Sequence, residues 1–196
     1  MNITPIPRRS FLKLSLVGAS ISTGIVATSC SFFEPTKEKN KTSFGILLVL
    51  NQIQAKILFS FADAILPKET NFPNAIQSQV INRLDEELFF VSESIAESLK
   101  QAVDLLEYLP IFYGYFSRFS KLSSQQRLDF LQSSQNTTST TVRAITNNCR
   151  LLIFTMYYGH ESSWNAIKYD GPFSKIPQKI SPQRDFYMQQ VKNNEA

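Results

Sequence analysis

Apolar residues recur near a 3.6-residue period from about Phe44: Leu47, Leu50, Ile57, Leu58, Phe61, Ala62 and Ile65, until Pro67 ends the run. After a loop through residues 68–74, Val80, Ile81, Leu84, Leu88 and Phe89 mark a second amphipathic helix, with Asp85, Glu86 and Glu87 on its outer, solvated face. A third helix carries Ile95, Leu99, Ala102, Val103, Leu106 and Leu109 and stops at Pro110. The aromatic block Phe112-Tyr113-Gly114-Tyr115-Phe116 leads to Ser123, whose distance to Gln126 is that of a capping box. A helix with Leu128, Phe130 and Leu131 is predicted from there. Residues 133–141 read as a loop or a polar helix start. A last long helix then holds Val142, Ile145, Cys149, Leu152, Ile153, Met156 and Tyr157. Sustained alternation and long-period repeats do not occur. The pattern therefore predicts an all-α fold, a single compact domain of five or six helices over residues 44–196.

The first 43 residues follow a different rule. Pro5-Ile6-Pro7-Arg8-Arg9-Ser10-Phe11-Leu12-Lys13 resembles a twin-arginine signal, with Arg8 and Arg9 as the pair and Phe11, Leu12 and Lys13 in the following positions. Pro7 stands where Ser or Thr is usual. Residues 14–29 are mildly apolar and diluted by Ser, Thr and Gly, shorter than the roughly 18 apolar residues a membrane-crossing helix needs. Residues 1–29 thus read as an export signal, which predicts an exported, periplasmic protein. Ala27-Thr28-Ser29-Cys30 resembles a lipoprotein processing site, with Cys30 as the acylated residue and a membrane anchor. The alternative is ordinary cleavage nearby. Residues 30–43, polar and lysine-rich, read as a tether. With Cys30 lipidated, Cys149 is the remaining thiol, expected as a small buried hydrophobe in an apolar stripe.

Charge changes one conclusion. The sequence pI is near 9.1, which invites a nucleic-acid partner. Yet Arg8, Arg9 and Lys13 belong to the leader, and without them 17 (20 less 3) basic residues face 16 acidic ones. Nucleic-acid binding needs basic residues clustered on the folded domain, so that partner class is excluded.

Candidate chemistry is sparse. The single histidine, His160, lies eleven residues from Cys149, about three helical turns, so the two form no catalytic pair. It is expected at a helix end or on the surface. One histidine cannot assemble a zinc site, and neither haem-attachment nor nucleotide-binding motifs occur. The residues predict no metal, no cofactor in this chain and no catalytic constellation. Asp63 and His160 are the groups on which an enzyme reading would have to rest.

Three stretches together resemble the gluconate 2-dehydrogenase subunit 3 family, the small subunits of membrane-linked flavoprotein dehydrogenases. The first is Phe61-Ala62-Asp63-Ala64-Ile65-Leu66-Pro67 with Pro73-Asn74-Ala75, where Asn74 replaces a glycine. The second is residues 116–131, with Phe119 or Leu122 in the family's Phe-x-x-Leu step. The third runs from Tyr157-Tyr158 through Trp164 to Tyr169-Asp170-Gly171-Pro172, with Lys168 where glycine is usual. The resemblance implies a non-catalytic accessory subunit supporting twin-arginine export and stability of a large subunit that carries FAD. It implies as partners that subunit, the twin-arginine translocase and, where haem is present, a cytochrome c subunit. Trp and Tyr often anchor protein contacts, so Tyr113, Tyr115, Phe116, Tyr157, Tyr158, Trp164 and Tyr169 are the interface candidates, at least half of them expected to pack internally. The competing reading is a free-standing envelope lipoprotein that binds a ligand or another envelope protein.

Overall fold

The computed structural model describes residues 44–171 and 181–195, all within the unit from Thr42 to Ala196. The signal residues Arg8, Arg9, Phe11, Leu12 and Lys13, and Cys30, lie outside the described residues. Among the described residues all regular structure is helical. The helices are α1 (Gln52–Ile65), α2 (Val80–Phe90), α3 (Glu93–Phe112), α4 (Ser124–Gln135), α5 (Thr140–Tyr158), α6 (Glu161–Trp164) and α7 (Pro182–Glu195), with a 3-10 turn at Phe119–Lys121. The fold is all-α, as the periodicity requires.

Helix α1 sits at the centre, packed against α3, α4 and α5, while α5 also meets α2, α3 and α4. Ile57, Leu58 and Phe61 of α1 meet Val103 and Leu106 of α3, Phe130 and Leu131 of α4, and Ile153 and Tyr157 of α5 in one buried cluster. Ring contacts continue through it: Phe119 lies 5.9 Å from both Phe61 and Phe130, centroid to centroid.

Helix ends follow local chemistry, with two departures from the periodicity. The apolar period begins near Phe44, but α1 starts at Gln52. Asn51 caps it in a capping box, its Oδ1 accepting from Gln54 N at 2.9 Å while Gln54 Oε1 accepts from Asn51 N at 3.2 Å. Residues 44–50 are instead held as irregular chain by Asp85. Its carboxylate accepts from the backbone N–H of Leu48 at 2.8 Å, Val49 at 3.0 Å and Leu50 at 2.8 Å, and from the Tyr187 hydroxyl of α7 at 2.8 Å. Asp85 is therefore not part of a solvated face: it is fully buried, and four donors offset its desolvation. Glu87 does face solvent.

The second departure is at Pro110, which does not stop α3. Proline forbids its own N–H bond but not helical dihedrals, so the last turn runs on to Phe112. The Ser123–Gln126 capping box forms as the spacing predicts. Residues 133–141 divide into the end of α4, a short loop and the start of α5, capped by Ser139.

Candidate partner interface

An open apolar groove of about 820 Å³ runs between α2, α3 and α5. Leu84, Leu88 and Val91 line it from α2 and its end, Ile95, Leu99 and Ala102 from α3, and Ile145, Cys149, Leu152 and Met156 from α5. Helices α2 and α3 each pack on α5, but the two-residue link at Val91-Ser92 lets their apolar faces part. Ile95 is 58% exposed and Leu151, on the α5 wall, 65%. The exposed charge on the α2–α3 side is acidic: Glu87 lines the groove and Glu93 and Glu97 are exposed on the first turns of α3, with Lys100 paired to Glu97. Cys149 is buried at the groove, and burial pushes its thiol up to about 12, so it is an inert hydrophobe there.

None of the seven aromatic candidates lines this groove. Tyr157 is fully buried, with its hydroxyl donating to the Pro73 carbonyl at 2.7 Å, so as an interface residue it is corrected to a core tie. Tyr158 stacks edge-on against it at 4.9 Å. Trp164 Nε1 donates to the Tyr158 carbonyl at 3.1 Å, and its ring meets Tyr169 at 5.4 Å. Tyr113 and Tyr115 turn inward onto Phe130, at 5.5 and 6.1 Å, and the Tyr113 hydroxyl donates to Thr137 Oγ1 at 2.8 Å. Phe116 points fully into solvent, and Tyr169 is partly exposed. The structure thus separates the candidates into two groups near opposite ends of α5. It also reveals Phe112, 80% exposed, beside Phe116.

The three stretches that carry the family resemblance meet in space. Asp63 at the end of α1 pairs with Arg127 of α4 at 3.6 Å and with Lys68 at 3.4 Å. Arg127 donates to the carbonyls of Phe119 and Ser120, at 3.3 and 2.9 Å. Buried Glu107 of α3 closes this network by accepting from Ser120 N at 2.9 Å and from Ser120 Oγ at 2.7 Å. The hydrogen bond from Tyr157 to Pro73 ties the first stretch to the third. Asn74 makes an Asx turn, accepting from the N–H groups of Ile76 and Gln77. Lys168 has φ of 57°, the left-handed region where glycine is favoured. Beside Asp63 a shallow polar pocket of about 330 Å³ opens toward Lys68, Glu69 and Gln77.

His160 stands at the N-terminus of α6 and caps it, Nδ1 accepting from Ser162 N at 3.2 Å. Burial and then the Arg83 charge hold the imidazole below its ordinary value, which keeps the neutral, accepting form. Arg83 itself donates to the Met156 carbonyl at the C-terminus of α5, where the helix dipole favours a cation. No group of three or more His, Cys, Asp or Glu able to hold a metal occurs among the described residues. No family model, curated protein or solved structure matches the chain.

Proposed function

We propose that this chain is a non-catalytic accessory subunit that docks a larger FAD-dependent dehydrogenase through the groove between α2, α3 and α5. The observation that carries the reading is the aliphatic exposure at that groove, with Ile95 and Leu151 each more than half exposed. Contiguous exposed apolar surface of this kind marks contact sites rather than ordinary monomer surface. The nature of the partner rests on the family resemblance. The ties between its three stretches, and glycine-like backbone at Lys168, support that resemblance.

The occupant we assign is an amphipathic helix or ridge of the flavoprotein, apolar on one side and basic beside it. The groove would receive the apolar side, and the acidic α2–α3 wall would face the cations. The leader gives the pairing a purpose. A flavoprotein folds around FAD before export, so a subunit bearing a twin-arginine signal can carry it across the membrane already folded.

The test is affinity capture of the tagged full chain from its native envelope, with mass spectrometry and a flavin absorbance scan. A stoichiometric flavoprotein is expected with the unaltered chain. Ile95→Glu with Leu151→Glu, both at exposed positions, should keep the circular dichroism spectrum and lose the flavoprotein. A chain exported alone, without flavin or a large partner, overturns the proposal. Retained capture by the double variant moves the interface away from the groove.

A further inference from the structure

We infer that the turn joining α3 to the 3-10 segment is a bilayer-contact element, inserting Phe112 and Phe116 into the interface of an anionic membrane. The surface is separate from the groove, and the inference does not depend on what the groove binds.

The turn is built to present these two rings. Pro110 O accepts from both Tyr113 N and Tyr115 N at 3.0 Å, and Ile111 O accepts from Gly114 N at 3.3 Å. Gly114 has φ of 85°, a conformation that a residue with a Cβ rarely adopts. The result is alternation: Tyr113 and Tyr115 fold inward onto Phe130, while Phe112 and Phe116 are left outside. Ile111, half exposed, widens the apolar tip. Inward packing of the tyrosines fixes the turn, so its outward rings are a formed feature of the surface.

Charge around the tip points to an anionic occupant. Residues 109–128 contain Arg118, Lys121 and Arg127 and no carboxylate; Arg127 is spent on Asp63, which leaves Arg118 and Lys121 as the cations beside the tip. The neighbouring residues 132–141, against which Tyr113 rests through Thr137, are uncharged. Arg118 is held beside the tip by the Tyr108 ring, 5.3 Å from its centroid, and Lys121 is exposed. The preceding carboxylates on α3 are remote or engaged. Asp104 lies eight residues before Phe112, about 12 Å along the helix, and accepts from Gln54, while Glu107 is buried on Ser120.

Shape favours lipid over protein. A tip of two rings offers a protein partner far less than the roughly 800 Å² per side that a stable interface buries. A bilayer interface has no such threshold: affinity grows with the apolar area inserted plus attraction of flanking cations to anionic headgroups. Aromatic rings backed by Arg and Lys are the side chains that settle at that depth. No described helix is long and apolar enough to cross a membrane, so the contact is peripheral.

The experiment is vesicle flotation of the full chain on phosphatidylcholine with and without phosphatidylglycerol. Because residues 1–43 are themselves basic and partly apolar, the readout is the difference between variants of the same full chain. Phe112→Ser with Phe116→Ser should weaken partition onto phosphatidylglycerol vesicles by about tenfold or more. Arg118→Glu with Lys121→Glu should remove the dependence on phosphatidylglycerol, and Phe112→Trp with Phe116→Trp should restore or exceed the original binding. In a Phe116→Trp chain, brominated lipid should quench the new tryptophan well beyond the background of Trp164. Unchanged partition of the double-serine variant, or absence of extra quenching, overturns the inference. So does a double-serine variant that binds vesicles normally but loses a co-purifying protein, since that makes the tip a protein contact.

Discussion

The two aromatic stretches, Phe112 to Phe116 and Tyr157 to Trp164, each carry a glycine among their rings, yet only the first leaves rings largely in solvent. At the second, three polar handles are spent internally: Tyr157 on Pro73, Trp164 on Tyr158 and buried Ser163 on the carbonyls of Tyr157 and His160 at 2.7 Å each. At the first, Tyr113 is engaged on Thr137 while the phenylalanines, which need no partner, are left in water. What separates them is their place on the helices that carry them. Tyr157 falls on the α5 stripe with Cys149, Ile153 and Met156 and points into the core. Phe112 and Phe116 flank a glycine turn beyond the last core-facing residue of α3. An aromatic-rich sequence thus marks both ends of α5 alike, and the backbone decides which rings pack and which stay outside.

The sharpest way to break this contrast is at Tyr157. Tyr157→Ala should cost about 3–5 kcal/mol, since it empties a fully buried ring site and orphans the Pro73 carbonyl. Tyr157→Phe keeps the ring and should cost about 1 kcal/mol. Urea unfolding followed by circular dichroism measures both. Equal losses for the two variants would mean that the hydrogen bond rather than the ring holds this end.

A polar run shows the same divergence and gives the next largest effect. Asp85, Glu86 and Glu87 are adjacent, yet only Asp85 is in the core, anchoring three backbone amides and Tyr187. Asp85→Ala should cost on the order of 3 kcal/mol, with Glu87→Ala within about 0.5 kcal/mol. Tyr187→Phe should cost about 1 kcal/mol. Burial, then the hydrogen bond to Asp85, raises the Tyr187 hydroxyl above the ordinary tyrosine value of 10.0. The folded state therefore keeps this proton where the unfolded chain releases it. That contribution is complete below pH 10 and declines as pH rises above it. Tyr187→Phe should flatten this alkaline decline, which unfolding curves taken from pH 8 to about 11 would reveal.

How far the sequence could be read follows from these particulars. The helices α1 to α5 were legible because their apolar stripes and the Ser123–Gln126 capping box are local signals. The start of α1 was not, because Leu47 and Leu50 fit the helical period while serving the core from irregular chain tied to a residue 35 or more positions away. Asp85 was misread for the same reason: a carboxylate in an acidic run carries no local mark of its distant partners. Helix α7 has too polar a composition to show a stripe, and its one buried residue, Tyr187, is explained by Asp85 and by Phe89, whose ring it meets edge-on at 5.6 Å. The groove was hidden because its residues look like ordinary core positions, and only the parting of α2 and α3 exposes them. Phe116 is legible as a contact candidate, and Phe112 stands in the same block with no local signal to set it apart.

A smaller effect tests the turn beyond Trp164. Lys168 adopts a left-handed conformation without the glycine freedom that suits it. Lys168→Gly should relieve that strain and stabilise the fold by up to about 1 kcal/mol, less the entropy glycine restores to the unfolded chain. A destabilised Lys168→Gly variant would mean that the lysine side chain itself holds the turn.

The smallest effect sharpens the comparison most, because it is close to zero. Phe112→Ser with Phe116→Ser removes two of the largest exposed apolar side chains, yet neither ring belongs to the core. Unfolding free energy should stay within about 0.5 kcal/mol of the original, and the cooperativity of the transition should not change. Tyr113→Ala, at the residue next to Phe112, is the matched control: its ring packs on Phe130 and its hydroxyl on Thr137, so it should destabilise by about 2–3 kcal/mol. Neighbouring residues of one turn would then divide cleanly, the inward ring serving stability and the outward rings free to serve contact. Should the double-serine variant prove strongly destabilised, the tip would have to be a packed part of the fold, and its availability to a membrane would fail with it.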